Sequence, residues 1–120
     1  MNDSSTEYLI YMTFKEDLEG LKTSSLQIQI EVGKKVLEDI ELLSQLTVAN
    51  LNKVVPELRE KFKKLRHQAI SNGAENEQDP NYAYAAIMES VILSVGRDKI
   101  SEEVLKEIMS WLSSINLIKR

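Results

Sequence analysis

Ser25-Leu26-Gln27-Ile28-Gln29-Ile30-Glu31-Val32-Gly33-Lys34-Lys35-Val36 is the segment on which the fold class turns. Leu26, Ile28, Ile30 and Val32 alternate with polar residues, which is the period of a half-buried strand. The continuation abandons that period. Val32, Val36, Ile40, Leu43 and Leu46 recur at spacings of four, four, three and three, the apolar stripe of an amphipathic helix. Ser24, with Gln27 three residues on, offers a cap. Residues 25–46 therefore read as one helix, with a hairpin of residues 8–14 and 26–32 as the alternative.

Downstream, the helical signal strengthens. Leu51, Val55, Leu58, Phe62, Leu65 and Ala69 form a heptad seam that Thr47 can cap and Asn72-Gly73 can close. Pro56 lies inside the seam and predicts a kink or break near Val55, because proline lacks the N–H donor and crowds the preceding turn. Residues 72–79 hold no large apolar side chain and read as a solvated loop. Asp79-Pro80 opens the next helix, residues 81–95, which is apolar on nearly every side and carries a stripe of small residues at Ala83, Ala86, Ser90 and Ser94. Gly96 is read as its end. Ser101 caps a last helix with Glu102 and Glu103 in its first turn and Lys119 and Arg120 at its end, an order that complements the helix dipole.

Upstream, residues 5–19 read as a helix with a capping box at Ser4-Ser5-Thr6-Glu7 and Gly20 as a left-handed terminator. The expected fold is an all-α, single-domain bundle of about five helices over residues 1–120.

Composition narrows the function. The 120 residues include no Cys and one His, His67, which excludes thiolate metal sites, disulfides, thiol nucleophiles and His-pair metal centres. No metal and no cofactor are expected. Glycine-rich phosphate loops, nucleophile elbows and paired metal-ligand motifs are missing, so an enzyme is not expected. Glu38, Asp39 and Glu41 read as a solvated acidic face. The polar start of the chain has neither the basic nor the apolar region of a signal peptide, and the longest apolar stretch, residues 82–95, is shorter than the ~20 residues a membrane span needs. These features predict a cytoplasmic protein with no membrane partner.

The net charge of −4 is unevenly spread. Residues 1–52 carry −5 and residues 68–120 carry −3, whereas residues 53–67 carry +4. Lys53, Arg59, Lys61, Lys63, Lys64 and Arg66 make that segment a basic island. It reads first as a solvated helix face, and alternatively as a strip that contacts RNA or DNA phosphates in a ribonucleoprotein or DNA complex. No aromatic residues interleave with it to stack bases.

The last helix and residues 81–95 carry more apolar surface than one contact face requires. This excess, and the enrichment of Trp, Tyr and Met at interface centres, mark Trp111, Met109 and Tyr84 as candidate partner contacts. The expected function is a non-enzymatic protein-binding module, such as an adaptor, chaperone, inhibitor or accessory subunit, that pairs with itself as a homodimer or joins a larger assembly.

Overall fold

The computed structural model describes residues 3–96 and 99–119, with side chains from Thr6 onward. They form five helices: α1 (Asp3–Lys22), α2 (Leu26–Ser44), α3 (Val48–Ser71), α4 (Pro80–Leu93) and α5 (Glu102–Ser114). No strand occurs among the described residues, so the fold is an all-α bundle and the hairpin alternative is discarded. The alternation of Leu26, Ile28, Ile30 and Val32 is wrapped around a helix instead. Leu26 is exposed, Ile28 and Ile30 are half-buried, and only Val32 is fully enclosed. Val36, Ile40 and Leu43 continue the buried side, so the longer helical stripe outweighs the short strand-like run.

The caps lie where short polar side chains meet free N–H groups. Thr47 Oγ1 accepts from Asn50 N, Ser101 Oγ from Val104 N, and the Asp79 carboxylate from both Asn81 N and Tyr82 N. Before α2 the cap is Ser25, not Ser24: its hydroxyl oxygen accepts from Ile28 N at 3.3 Å. Of the box anticipated at residues 4–7, Ser4 and Ser5 lie outside the described side chains, and the helix already begins at Asp3.

Three expected ends shift. α1 continues through Gly20 to Lys22. α4 ends at Leu93, with Ser94 as its C-cap, before Gly96 is reached. α5 stops at Ser114, so Lys119 is not in its last turn, and Arg120 is outside the described residues. The chain turns there on Asn116 at φ 63°, with Asn116 N donating to Ser113 O and Leu117 N to Leu112 O. α3 ends by the same device: Gly73 has φ 99°, Gly73 N donates to Ile70 O, and Ala74 N donates to Ala69 O. A side chain at residue 73 meets empty space but not a relaxed backbone. Gly73→Ala is therefore expected to cost about 1 kcal/mol in chemical denaturation, from the left-handed backbone alone.

α3 runs unbroken through Pro56, against the expected interruption. Leu51 is buried before the proline and Phe62 and Ala69 after it, with Val55, Leu58 and Leu65 packed at the edge of the core. Burial of this one face on both sides of Pro56 offsets a single missing donor.

α4 is the centre of the bundle, packed against α1, α2 and α3. Ala83, Ala85, Ala86, Ile87, Met88, Ser90, Val91 and Ile92 are all buried. Its all-round apolarity is thus consumed inside the molecule. Gly33 of α2 faces Leu112 of α5 and Leu117 beyond it: an added Cβ would stand 2.6 Å from Leu117 Cδ1 and 3.1 Å from Leu112 Cδ2, so these side-chain tips would have to shift. No helix among the described residues is long and apolar enough to cross a membrane.

Candidate functional site

Of the three residues marked as partner contacts, Trp111 is enclosed by the fold, whereas Tyr84 and Met109 are half-buried. Trp111 is 1% exposed, and its indole N–H donates to Gln29 Oε1 at 3.0 Å. The Gln29 amide donates in turn to Ser24 O at 3.0 Å, linking α5 through α2 to the α1–α2 turn. Tyr84 is half-buried, sits edge-on to Phe62 with ring centroids 5.6 Å apart, and donates its hydroxyl to Asp39. Burial, that hydrogen bond and the Asp39 charge raise the phenol well above its ordinary pKa. Met109 is half-buried against the core. Trp111 is sealed within the fold, and none of the three is among the large hydrophobic residues left exposed. The apolar surplus of α4 is absorbed because that helix is enclosed, while α5 buries Val104, Ile108, Trp111 and Leu112 and keeps Lys106 and Ser110 on an exposed face.

The basic island also divides. Arg66 turns toward α4 and binds Glu89 at 2.7 Å, half-buried, which removes it from the outer strip. Lys61 lies over the Phe62 ring, 5.2 Å from its centroid. Lys53, Arg59, Lys63 and Lys64 are exposed, and His67 stands among them. Glu57 and Glu60 punctuate the same face, with Glu60 one helical turn before Lys63 and Lys64. The result is a mixed-sign face and not a continuous cationic track. Among the described residues, no group of three or more His, Cys, Asp or Glu side chains could hold a metal ion.

The outward-facing apolar residues lie elsewhere. Tyr8, Leu9 and Met12 stand 61%, 64% and 37% exposed on the outer side of α1. α1 is anchored by its C-terminal half, where Phe14, Leu18 and Leu21 are buried, so its first turns carry large apolar side chains on little support. Between those turns and the α4–α5 connection opens a groove of about 690 Å³. Tyr8, Ile10, Tyr11, Val95, Ile100 and Val104 form its apolar walls, and Tyr8 joins it to the exposed patch. A groove of this size falls within the ~300–1,000 Å³ typical of ligand sites.

Among the described residues its polar rim is acidic. Glu7, Glu102 and Glu103 stand at the edge, and the rim's Lys99 is paired with Glu102 at 2.7 Å. The hydrogen bond and charge of that ammonium hold the Glu102 carboxyl below its usual range. Glu16 is exposed further along α1, where Glu19 is paired with Lys22 at 3.6 Å. Further exposed apolar side chains lie at the start of α2 (Leu26), at the α2–α3 corner (Leu42, Leu46 and Val48) and at the end of α3 (Ile70).

Sequence reading missed this site because its residues come from both ends of the chain, and the run Tyr8-Leu9-Ile10-Tyr11-Met12 looked like core material or a strand. Comparison with protein-family models, with curated proteins and with solved structures finds no match.

Proposed function

We propose that this chain is a non-enzymatic protein-binding module that docks an apolar, basic helical segment of another protein into the groove beside the N-terminal half of α1. The observation that carries this reading is the continuity of the exposed Tyr8, Leu9 and Met12 patch with an apolar groove whose described rim is acidic. An amphipathic helix laid into such a groove buries its apolar face and presents its cations to Glu7, Glu102 and Glu103. The acidic rim disfavours a symmetric homodimer through this face, because a two-fold axis would bring like charges together.

Titration with two model amphipathic helices, one of Leu and Lys and one of Leu and Glu, tests the reading by fluorescence anisotropy. The Leu/Lys helix is expected to bind in the micromolar range and the Leu/Glu helix not to bind. The variant Leu9→Glu/Met12→Glu adds two negative charges and removes two apolar contacts. Unspecific attraction between charges would strengthen in this variant, whereas docking weakens by about tenfold or more. Unchanged or tighter binding of the Leu/Lys helix, with native helicity retained, refutes the assignment. The competing partner is a nucleic acid on the outer face of α3. With Arg66 turned inward and two glutamates on that face, no mobility shift of single-stranded RNA is expected at ~50 mM salt.

A further inference from the structure

The connection between α3 and α4, expected to be freely solvated, is fastened across the end of α1. Ser24 Oγ donates to Glu77 O at 3.0 Å, while Gln78 Nε2 donates to Thr23 Oγ1 at 2.9 Å and to Gly20 O at 3.4 Å. The Glu77 side chain rests on Gly20, where any Cβ would collide with its carboxyl group. This close approach explains why a glycine inside a helix is useful here. It sets the Glu77 carboxyl against α1 one turn after Asp17, so that the two acidic groups are neighbours. Two carboxyl groups can share a hydrogen bond only when one of them holds a proton.

We propose that the Asp17–Glu77 pair is a proton-operated latch: singly protonated, it pins the α3–α4 connection to α1, and loss of the proton releases that connection. The groups around it leave the second negative charge uncompensated. Glu16 of α1 and Glu89 of α4 are carboxylates, Tyr82 of α4 is neutral, and Arg66 of α3, the opposing cation, is already bound to Glu89. Burial, the hydrogen bond to Glu77 and the Glu77 charge push the Asp17 carboxyl up to about 7, against the pull of Arg66. A raised carboxyl pKa means that the folded state holds the proton more tightly than the unfolded chain. The stabilisation is therefore complete below the unfolded value of 3.8 and is lost as pH rises through about 7.

The test follows the side-chain carboxyl ¹³C resonances of the intact protein, together with exchange of the Gln78 and Asp79 amides, which bond within the connection to Asn76. Both are measured from about pH 5 to about pH 9. The expected result is a carboxyl transition near neutrality and, over the same interval, an exchange acceleration about tenfold beyond the intrinsic base-catalysed rise. Asp17→Asn, and independently Gly20→Ala, which evicts the Glu77 carboxyl, should abolish that step, while His67→Gln should preserve it. If Asp17 titrates below about pH 5 in the wild type, the latch does not exist. It is equally overturned if the exchange profiles of wild type and Asp17→Asn coincide.

Discussion

Trp111→Ala is expected to lower the stability of the fold by about 3–5 kcal/mol, the range for removing a large buried aromatic side chain. Trp111 heads the fully buried side chains by volume, at 1% exposure. Its removal leaves a cavity beside α2 and deprives Gln29 of the indole N–H that ties α5 to that helix. A lesser change at the other end of the same hydrogen bond gives the contrast. Gln29→Leu keeps the cavity filled but strands the buried indole donor, which costs about 1–3 kcal/mol. Urea denaturation of the two variants measures both. Had Trp111 been a docking residue, the alanine variant would keep its stability and lose only binding. The structural role predicts the reverse: at temperatures where the variant is still folded, affinity for the Leu/Lys helix changes little.

Val91→Asp is expected to leave no measurable folded population at neutral pH. Val91 is 0% exposed on α4, the helix against which α1, α2 and α3 all pack. An unpaired carboxylate there costs several kcal/mol in desolvation, and the lost apolar burial adds roughly 1.5–3 kcal/mol. Domains of this size have total stabilities of about 5–15 kcal/mol, and the combined penalty at the hub is large enough to exhaust a stability in the lower part of that range. Far-ultraviolet circular dichroism should show loss of helix for Val91→Asp and full retention for Leu9→Glu, which places the same type of charge on a residue 64% exposed. Comparable losses in the two variants would contradict the assignment of α4 as the centre.

The caps and the long apolar stripes were legible in the sequence because they depend on local chemistry. Thr47, Asp79 and Ser101 each bind an N–H two or three residues away, and a side chain that acts over one turn is visible in a window of one turn. The all-α class followed from the same locality, since the stripe from Val32 to Leu43 outlasts the strand-like alternation before it.

Features that depend on distant partners were not legible. Gly20 looked like a terminator until Glu77, far along the chain, was found lying against it. Arg66 looked like one more cation of a basic strip until Glu89 drew it inward. Trp111 looked like an interface residue because composition rules do not distinguish the apolar face of a helix that meets a partner protein from one that meets α2. The groove beside α1 had no signal in the sequence, as its walls are separated by some eighty positions.

A ¹⁵N-labelled sample titrated with the Leu/Lys helix and followed by amide chemical shifts maps the contact directly. The largest changes are expected on residues 7–12 and around Ile100 to Val104, with the outer face of α3 silent. Changes centred on Arg59, Lys63, Lys64 and His67, or on the Leu42, Leu46 and Val48 corner, would contradict the assignment.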